Sequence, residues 1–453
     1  MSGRVGVISL GCSKNRVNSE QMMFLLREAG YFVTGEIDGS DFVLLNTCGF
    51  IESAKAEAVE TILELAAAKE KGEIGKLIVA GCLPERQKED ILSELPEIDA
   101  VVGTGSFDDI VSVIRLVSEN AGYNRFFGDI DAPVSETDRI ISTSKVWAYL
   151  KIAEGCDNRC AYCCIPYIRG KYRSRSVENI VKEAKKLSEA GIQELILVAQ
   201  DLTSYGCDIY GEPKLAYLLT ELTGIKKNKW IRLHYMYPDE FNDEIIEIIA
   251  KSDKILKYLD IPIQHINNDI LRNMNRRGTG DYIKELIKKL RERIPGVVLR
   301  TSLITGLPGE GEKEFAELCE FLEEYEIERV GVFAYSPEQG TAAARMERPS
   351  KKTAQLRAEK LLELQSRVMQ SFLKSRIGSV VTVLVEDFEP CAHHTTFYAT
   401  RSFAESPDVD GYIHVRVPDD YKSVSSDALI SPNSFAKIRI TGFKNGELVG
   451  EPV

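Results

Sequence analysis

The stretch 155–166, GCDNRCAYCCIP, places Cys156, Cys160, Cys163 and Cys164 within nine positions. Thiolates spaced x3 and then x2 on one loop can wrap a single iron–sulfur cubane, for which soft sulfur ligands are suited. With Cys156, Cys160 and Cys163 as ligands, one iron keeps no protein thiolate and stays open to a substrate. A structural zinc loop or a disulfide pair is the competing reading. Zinc needs a fourth ligand, and Cys164, next to Cys163, would make tetrahedral ligation strained. A register of 156/160/164 is geometrically conceivable as well.

Three more cysteines share a different signature. Cys12, Cys48 and Cys82 each follow an apolar run, in VGVISLGC, FVLLNTC and KLIVAGC. The carboxyl ends of strands in an open parallel sheet share one edge, where ligands bind. One such cysteine would be a small buried hydrophobe, but three at equivalent positions point to a shared metal or cluster site. Three thiolates suit an iron–sulfur cluster or an open site better than a structural zinc, which takes four ligands. Cys207, Cys319 and Cys391 stand alone and read as core or incidental thiols.

The elements that would position these groups are legible from hydrophobic patterning. In the first third, VGVISL, DFVLLN, KLIVA and AVVG alternate with helical stretches near 17–29, 51–70 and 84–94, which predicts a small parallel α/β sheet. The polar, aperiodic segment 129–144 reads as a linker. Alternation resumes with the candidate strands WAYLKI, ELILVA, IRLHYMY, YLDIPI, VVLRTSLI and RVGVFAY. Helices are expected near 177–190, 241–250, 280–293 and 311–324, and the six β/α units predict a complete or partial barrel, reactive at its C-terminal edge. A helix at 351–375 follows. From about Arg376, alternating runs such as SVVTVLVE, GYIHVRV and FAKIRITGF predict a small β-barrel or sandwich. The fold class is α/β with a small β domain appended.

A chain of 453 residues exceeds what one hydrophobic core usually supports, so two or three domains are expected. The net charge is −12, which argues against broad nonspecific binding to nucleic acid and is compatible with a basic protein partner. No apolar run approaches a membrane span and the amino terminus does not look like a secretion signal, so a cytoplasmic protein without membrane association is expected. In that setting ten cysteines mean metal or redox chemistry more often than disulfides.

The Cys-x3-Cys-x2-Cys motif with Tyr162 before its last cysteine resembles the signature of the radical S-adenosylmethionine (SAM) superfamily. With the three upstream cysteines and the small β domain, the chain resembles the methylthiotransferases along nearly its whole length. The resemblance implies a domain at 1–128 holding an auxiliary cluster on Cys12, Cys48 and Cys82, a radical SAM core at 142–372, and a TRAM-like domain at 376–453. It implies two 4Fe-4S clusters, with SAM bound at the open iron of the Cys156/Cys160/Cys163 cluster and cleaved to a 5′-deoxyadenosyl radical. Cys164 stands where related sequences often carry serine, which makes it the spare.

GCSKNRVNSE, NTCGFIESAKAE and LVAQDLTSYG resemble the RimO-like branch, which acts on an aspartate of ribosomal protein S-twelve (uS-twelve) to give 3-methylthioaspartate. The alternative is the MiaB-like branch, which methylthiolates a tRNA adenosine. The expected partners are the ribosomal protein, free or assembled, and an electron donor such as flavodoxin or ferredoxin, with no stable nucleic-acid binding beyond the ribosome. Residues 371–453 carry 8 basic and 11 acidic side chains, or −3, which suits a basic protein better than RNA.

Tyr162, Gln200, Arg300 and Gly306 are the expected cofactor-binding residues. Gln200 and Asp201 end the strand ELILVA at the reactive edge. RTSLITGLPGE, from Arg300 to Glu310, resembles the superfamily stretch beside adenine and methionine, and is also a strand with a tight turn. Arg300 could meet the cofactor carboxylate or form a structural ion pair. His265, after Gln264, could face the pocket or be a satisfied structural histidine. Arg169, Lys171, Arg173 and Arg175 read either as solvated charges or as an exposed basic loop attracting a substrate aspartate to the barrel mouth.

Overall fold

The computed structural model describes residues 3–88, 90–122, 124–390, 396–416, 430–444 and 446–453. Three sheets follow one another along the chain. The first contains β1 (Arg4–Ser9), β2 (Phe32–Thr34), β3 (Phe42–Thr47), β4 (Lys76–Gly81), β5 (Ala100–Val102) and β6 (Arg125–Phe126), in the order β2-β1-β3-β4-β5-β6. All its pairings are parallel. The helices α1 (Ser13–Glu28), α2 (Glu52–Glu70), α3 (Cys82–Gln87), α4 (Asp90–Glu94) and α5 (Ile110–Ser118) cross between them. Two apolar layers result, one on each side of the sheet, as expected for strands that read as continuous hydrophobic runs. The strand order reverses between β1 and β3, which marks the switch point where such sheets bind ligands.

Two expectations need correction here. The helix near 84–94 is two short helices, because Lys88 adopts a left-handed conformation (φ 51°) that ends α3. AVVG does not close the sheet, since the two-residue β6 pairs beyond it. Segment 129–144 forms no helix or strand, yet it is not a loose tether. Arg139 is buried against Glu20 of α1 and Glu183, and the Ile140 N–H donates to the Glu20 carbonyl.

The second sheet has six parallel strands, β7 (Trp147–Lys151), β10 (Glu194–Val198), β11 (Trp230–Leu233), β12 (Ile255–Asp260), β13 (Val298–Thr305) and β14 (Arg329–Ala334), in that spatial order. After β7 come the short pair β8 (Ala153–Glu154) and β9 (Arg173–Ser174), with α6 (Ile165–Arg169) between them. The connecting helices are α7 (Val177–Glu189), α8 (Cys207–Tyr210), α9 (Leu215–Thr223), α10 (Asp243–Lys251), α11 (Asn268–Asn273), α12 (Gly280–Arg293) and α13 (Glu312–Tyr325). Strand residues of one parity, such as Ala148, Leu195, Leu197, Ile231, Leu233 and Leu259, pack under these helices in the largest core. Truncating one of these fully buried leucines to alanine costs about 2–5 kcal/mol. The other parity brings Trp147, Tyr149, Lys151, Arg232, His234, Tyr258, Asp260 and Arg300 to the opposite face, as the two-residue repeat of a strand requires.

After α14 (Lys351–Ser375), β15 (Val380–Pro390), β16 (Thr396–Arg401), β17 (Ile413–Arg416), β18 (Ser434–Lys444) and β19 (Glu447–Pro452) close into a five-stranded barrel. It is fastened to the second sheet by buried charge. Glu194 accepts from Arg232 (2.7 Å) and from Arg401 of the barrel (2.8 Å), and all three side chains are fully buried. His234 bonds the Ser406 hydroxyl at 2.9 Å and Tyr258 donates to Asp410 at 2.8 Å. Removing one partner of such a pair leaves an uncompensated buried charge.

Candidate functional site

Each upstream cysteine sits where its strand ends. Cys12 is the N-cap of α1, Cys48 follows β3, and Cys82 opens α3. Cys12 and Cys48 therefore flank the switch point. Their approach depends on Gly11 (φ +87°), where an added Cβ would lie 2.7 Å from the Cys48 Cβ. Asn15 ties the same edge together, its amide donating to the carbonyls of Leu10 (3.0 Å) and Thr47 (2.9 Å). Burial pushes the Cys48 thiol up to about 12, with the thiols of Cys82 and Cys12 adding to the effect. Burial would raise Cys12 too, but Lys14 and Arg169 outweigh it and hold this thiol below its ordinary value.

Cys156, Cys160 and Cys163 occupy the loop between β8 and α6 and are all partly accessible. Gly155 (φ +80°) permits the tight entry, since a Cβ there would meet the Lys171 carbonyl at 1.9 Å. Asp201 fixes the loop by accepting from Asn158 at 2.9 Å, and its own turn is closed by Ser204 donating to it at 2.8 Å. Polar hydrogens point at the sulfurs, from the Ile165 N–H to Cys163 (3.4 Å) and from Arg276 to Cys160 (3.8 Å). Arg276 also donates to the Tyr162 hydroxyl at 3.1 Å and lies over the Tyr237 ring. Burial is the main influence raising Cys156, to about 11.

Among the described residues no three His, Cys, Asp or Glu side chains stand close enough to ligate a single metal ion. Thiolates around a cluster stand farther apart than around a lone ion, because iron and sulfide intervene. The donor set is otherwise suitable, being two triads of thiols with hydrogen-bond donors aimed at the sulfurs. The residues present thus fit iron–sulfur clusters.

Cys164 departs from its neighbours. It is the N-cap of α6, buried in a cluster with Cys82, Phe50 and Ile168, and within 3.8 Å of an Arg86 nitrogen. Its side chain faces the first sheet and not the loop. Cys207 is exposed and Cys319 half-buried, while Cys391 lies outside the described residues.

The basic loop is corrected most. Arg169 and Arg175 are buried, and Arg173 donates to the backbone carbonyls of Arg169 and Lys171. Arg175 pairs with Glu136 and Glu183, both at 2.6 Å. Arg169 joins the two halves of the site. Its guanidinium reaches the Asn15 Oδ1 (2.6 Å), the Asn18 Oδ1 (2.8 Å), the Cys82 Sγ (3.2 Å) and Glu154 (3.3 Å). Glu154 in turn takes Lys151 at 3.0 Å and Gln200 at 2.6 Å. Burial would raise the Glu154 carboxyl, but Lys151 and Arg169 hold it down at about 2. Sequence reasoning passed over Lys14, Asn15, Lys151, Glu154, Arg169 as a buried residue, and Arg276. The position of Glu154, just before Gly155-Cys156, was the one available signal.

The remaining candidates divide. Tyr162 and Gln200 lie with the cysteine loop through Arg276 and Glu154. Arg300 forms an ion pair with Asp260 at 2.7 Å. Gly306 follows β13 with φ +76°, and a Cβ there would stand 2.3 Å from the Ala354 Cβ, so the approach of α14 accounts for it sterically. His265 is fully buried, 3.3 Å from Glu310, with its Nδ1 accepting from the Asn267 N–H, which is a structural arrangement.

Residues 150–322 match the radical SAM superfamily, residues 4–103 the Uncharacterized protein family UPF0004, and residues 377–453 the TRAM domain. The chain is 42% identical to "Ribosomal protein uS12 methylthiotransferase RimO" of Acetivibrio thermocellus, over 100% of this chain and 99% of the relative. It is 44% identical to the proteins of that name from Caldanaerobacter subterraneus subsp. tengcongensis and Desulforamulus reducens, over 99% of each chain in both comparisons. Among solved structures, the radical SAM methyltransferase TsrM of Kitasatospora setae, with cobalamin and a 4Fe-4S cluster bound, matches with a TM-score of 0.55. It shares 14% identity over 74% of this chain and 77% of that one. The cobalamin-dependent SAM radical enzyme OxsB gives 0.53 at 14% identity over 81% and 56%. These two likenesses concern the fold.

Proposed function

The chain belongs to the radical SAM methylthiotransferases of the RimO type, and from that premise we propose that it methylthiolates an aspartate of ribosomal protein uS12 at its β-carbon. One β-hydrogen leaves and one methylthio group takes its place, giving 3-methylthioaspartate. The observation that carries this reading is the pairing of two cysteine triads at the reactive edges of two parallel sheets, joined through Arg169.

In this reading Cys156, Cys160 and Cys163 hold one 4Fe-4S cluster, and Cys12, Cys48 and Cys82 hold a second. When bound, the clusters and SAM supply a one-electron cleavage that yields a 5′-deoxyadenosyl radical, and the sulfur to be inserted. A β C–H bond is not acidic enough for a side-chain base, so the hard step belongs to the cofactor. The protein's own residues do the placing. Tyr162 and Gln200, together with Arg300 on β13 and Gly306 just beyond it, would hold SAM at the barrel edge. Asp201 holds the cysteine loop in register through Asn158. Arg169 and Lys151 neutralise Glu154, and Arg169 alone of the two also bonds Asn18, Asn15 and Cys82 of the first domain. We assign the domains as 1–128, 142–372 and 376–453, and place the protein in the cytoplasm, with a flavodoxin or ferredoxin as electron donor. No helix among the described residues is long and apolar enough to cross a membrane.

Competition tests the substrate. Reconstituted enzyme, SAM and reductant are offered uS12 together with a tRNA carrying the adenosine that MiaB-like enzymes modify, without oxygen. The proposal expects the methylthio group on uS12 alone, whereas its appearance on tRNA would establish the MiaB-like alternative.

A further inference from the structure

Lys14, the second residue of α1, is buried, with 7% of its surface exposed. Its ammonium stands 3.4 Å from the centroid of the Tyr235 ring. Tyr235 follows the carboxyl end of β11, so Lys14 reaches from the first domain onto the reactive edge of the second sheet. The Tyr235 backbone is held in a left-handed conformation (φ 64°), with its N–H 3.3 Å from the Asp260 carboxylate.

A buried ammonium is ordinarily matched by a carboxylate, because desolvating an unpaired charge is costly. Among the described residues Lys14 forms no ion pair with a carboxylate; Tyr235, which also shares a side-chain hydrogen bond with it, then Cys12 and Glu154 are the ionisable groups that act on it most. The other buried cations at this edge are engaged. Lys151 and Arg169 share Glu154, Arg300 pairs with Asp260, and Arg276 donates to Tyr162 and to the Pro262 carbonyl. One further group able to donate lacks a partner here, the buried Ser13 hydroxyl beside Lys14. The first turn of α1 contains no acidic residue, so the helix end adds positive potential, part of which acts on the Cys12 thiol through the Lys14 and Asn15 N–H groups. These features together describe a site prepared for an anion.

We propose that Lys14 receives the side-chain carboxylate of the substrate aspartate and so determines which residue of uS12 is modified. The inference rests on the substrate reading above. The β-carbon is bonded directly to the carboxyl carbon, so fixing the carboxylate fixes the reacting carbon between the two triads. Lys14 is a positioning residue for the substrate in this account, and Tyr235 is the wall that sets the height of its ammonium.

Lys14→Met tests this, because methionine keeps the apolar stem and nearly the volume while removing the charge. The probes are two fluorescent uS12 peptides spanning the target, one with its native aspartate and one with asparagine, bound to reconstituted enzyme. Wild type is expected to prefer the aspartate peptide by about 10- to 100-fold, the range of a charge-assisted contact. Lys14→Met should bind both as wild type binds the asparagine peptide, and Lys14→Arg should keep part of the preference. Iron per chain serves as the folding control. A Lys14→Met protein with wild-type iron and an undiminished preference overturns the proposal. So does a wild type that methylthiolates uS12 yet binds the peptides equally, since the substrate reading then stands and the role of Lys14 alone fails. A wild type that does not modify uS12 at all refutes the substrate reading instead.

Discussion

Replacing Arg169 with leucine should loosen the seam between the first two domains more than any single change on the surface. The guanidinium is buried and makes four contacts. Two are to the side-chain oxygens of Asn15 and Asn18, and each acceptor left dry costs about 1 kcal/mol. The third is to Glu154, which keeps Lys151 and Gln200, so its loss falls at the low end for a broken buried pair, about 3 kcal/mol. The sum is about 5 kcal/mol, a large part of the stability of a typical domain. Urea unfolding of the cluster-free protein would read the loss. Amide exchange would place it, with faster exchange expected at 13–18 and 156–169 and none at the C-terminal barrel. Arg169→Lys should recover the charge but not the fork, leaving an intermediate loss. An Arg169→Leu protein with unchanged unfolding and unchanged exchange at 13–18 would refute the idea that this side chain fastens the two halves.

Cys156→Ala should abolish SAM cleavage, whereas Cys12→Ala should spare cleavage and stop sulfur insertion; 5′-deoxyadenosine and modified uS12 are measured, and identical behaviour would end the two-site division. Cys164→Ser should keep the iron content of wild type, because the thiol faces Cys82 and Phe50 and not the loop, and lost iron would reassign the third ligand. Gly306→Ala should destabilise by about 3 kcal/mol in a denaturant titration, from the strained φ and the collision with Ala354. Acid should release the C-terminal barrel. Burial would raise Glu194 and Glu405, but Arg401 and Arg232 on the first, and Arg376 and Arg329 on the second, hold both folded carboxyls below the unfolded value of 4.5. Their stabilisation is thus complete above 4.5 and is lost as pH falls through the folded values. Trp147 bonds Glu386 and Trp230 packs on Phe435 at this interface, so tryptophan fluorescence should change as pH drops below about 4.5, and a flat signal there would count against the assignment.

Much of the architecture was readable because its physics is local. Apolar runs such as FVLLNT and ELILV encode doubly covered parallel strands, and the cysteines after them inherit a common edge. The short strand β2 and the two-residue β6 were missed, since they carry too few residues for a period. Lys88 broke the expected helix by a backbone conformation that lysine does not advertise. The candidate site was legible where residue type alone suggests the chemistry, as with the six proposed cysteine ligands. The arrangement was illegible where it depends on burial. Arg169 and Arg175 look like any exposed basic residues in IRGKYRSRS, and only the docking of the two domains turns them inward. Lys14 presents the same difficulty, because a lysine in the first turn of a helix is ordinarily solvated. The absence of a carboxylate partner appears only in three dimensions.

The central claim is that two cysteine triads hold chemistry aimed at one aspartate β-carbon of uS12. The most direct measurement uses uS12 deuterated at its aspartate β-carbons, incubated without oxygen with reconstituted enzyme, reductant and SAM, followed by mass analysis of both products. The account predicts deuterium in 5′-deoxyadenosine and one methylthio group on the aspartate that lost it. 5′-Deoxyadenosine free of deuterium beside a fully methylthiolated uS12 would contradict it.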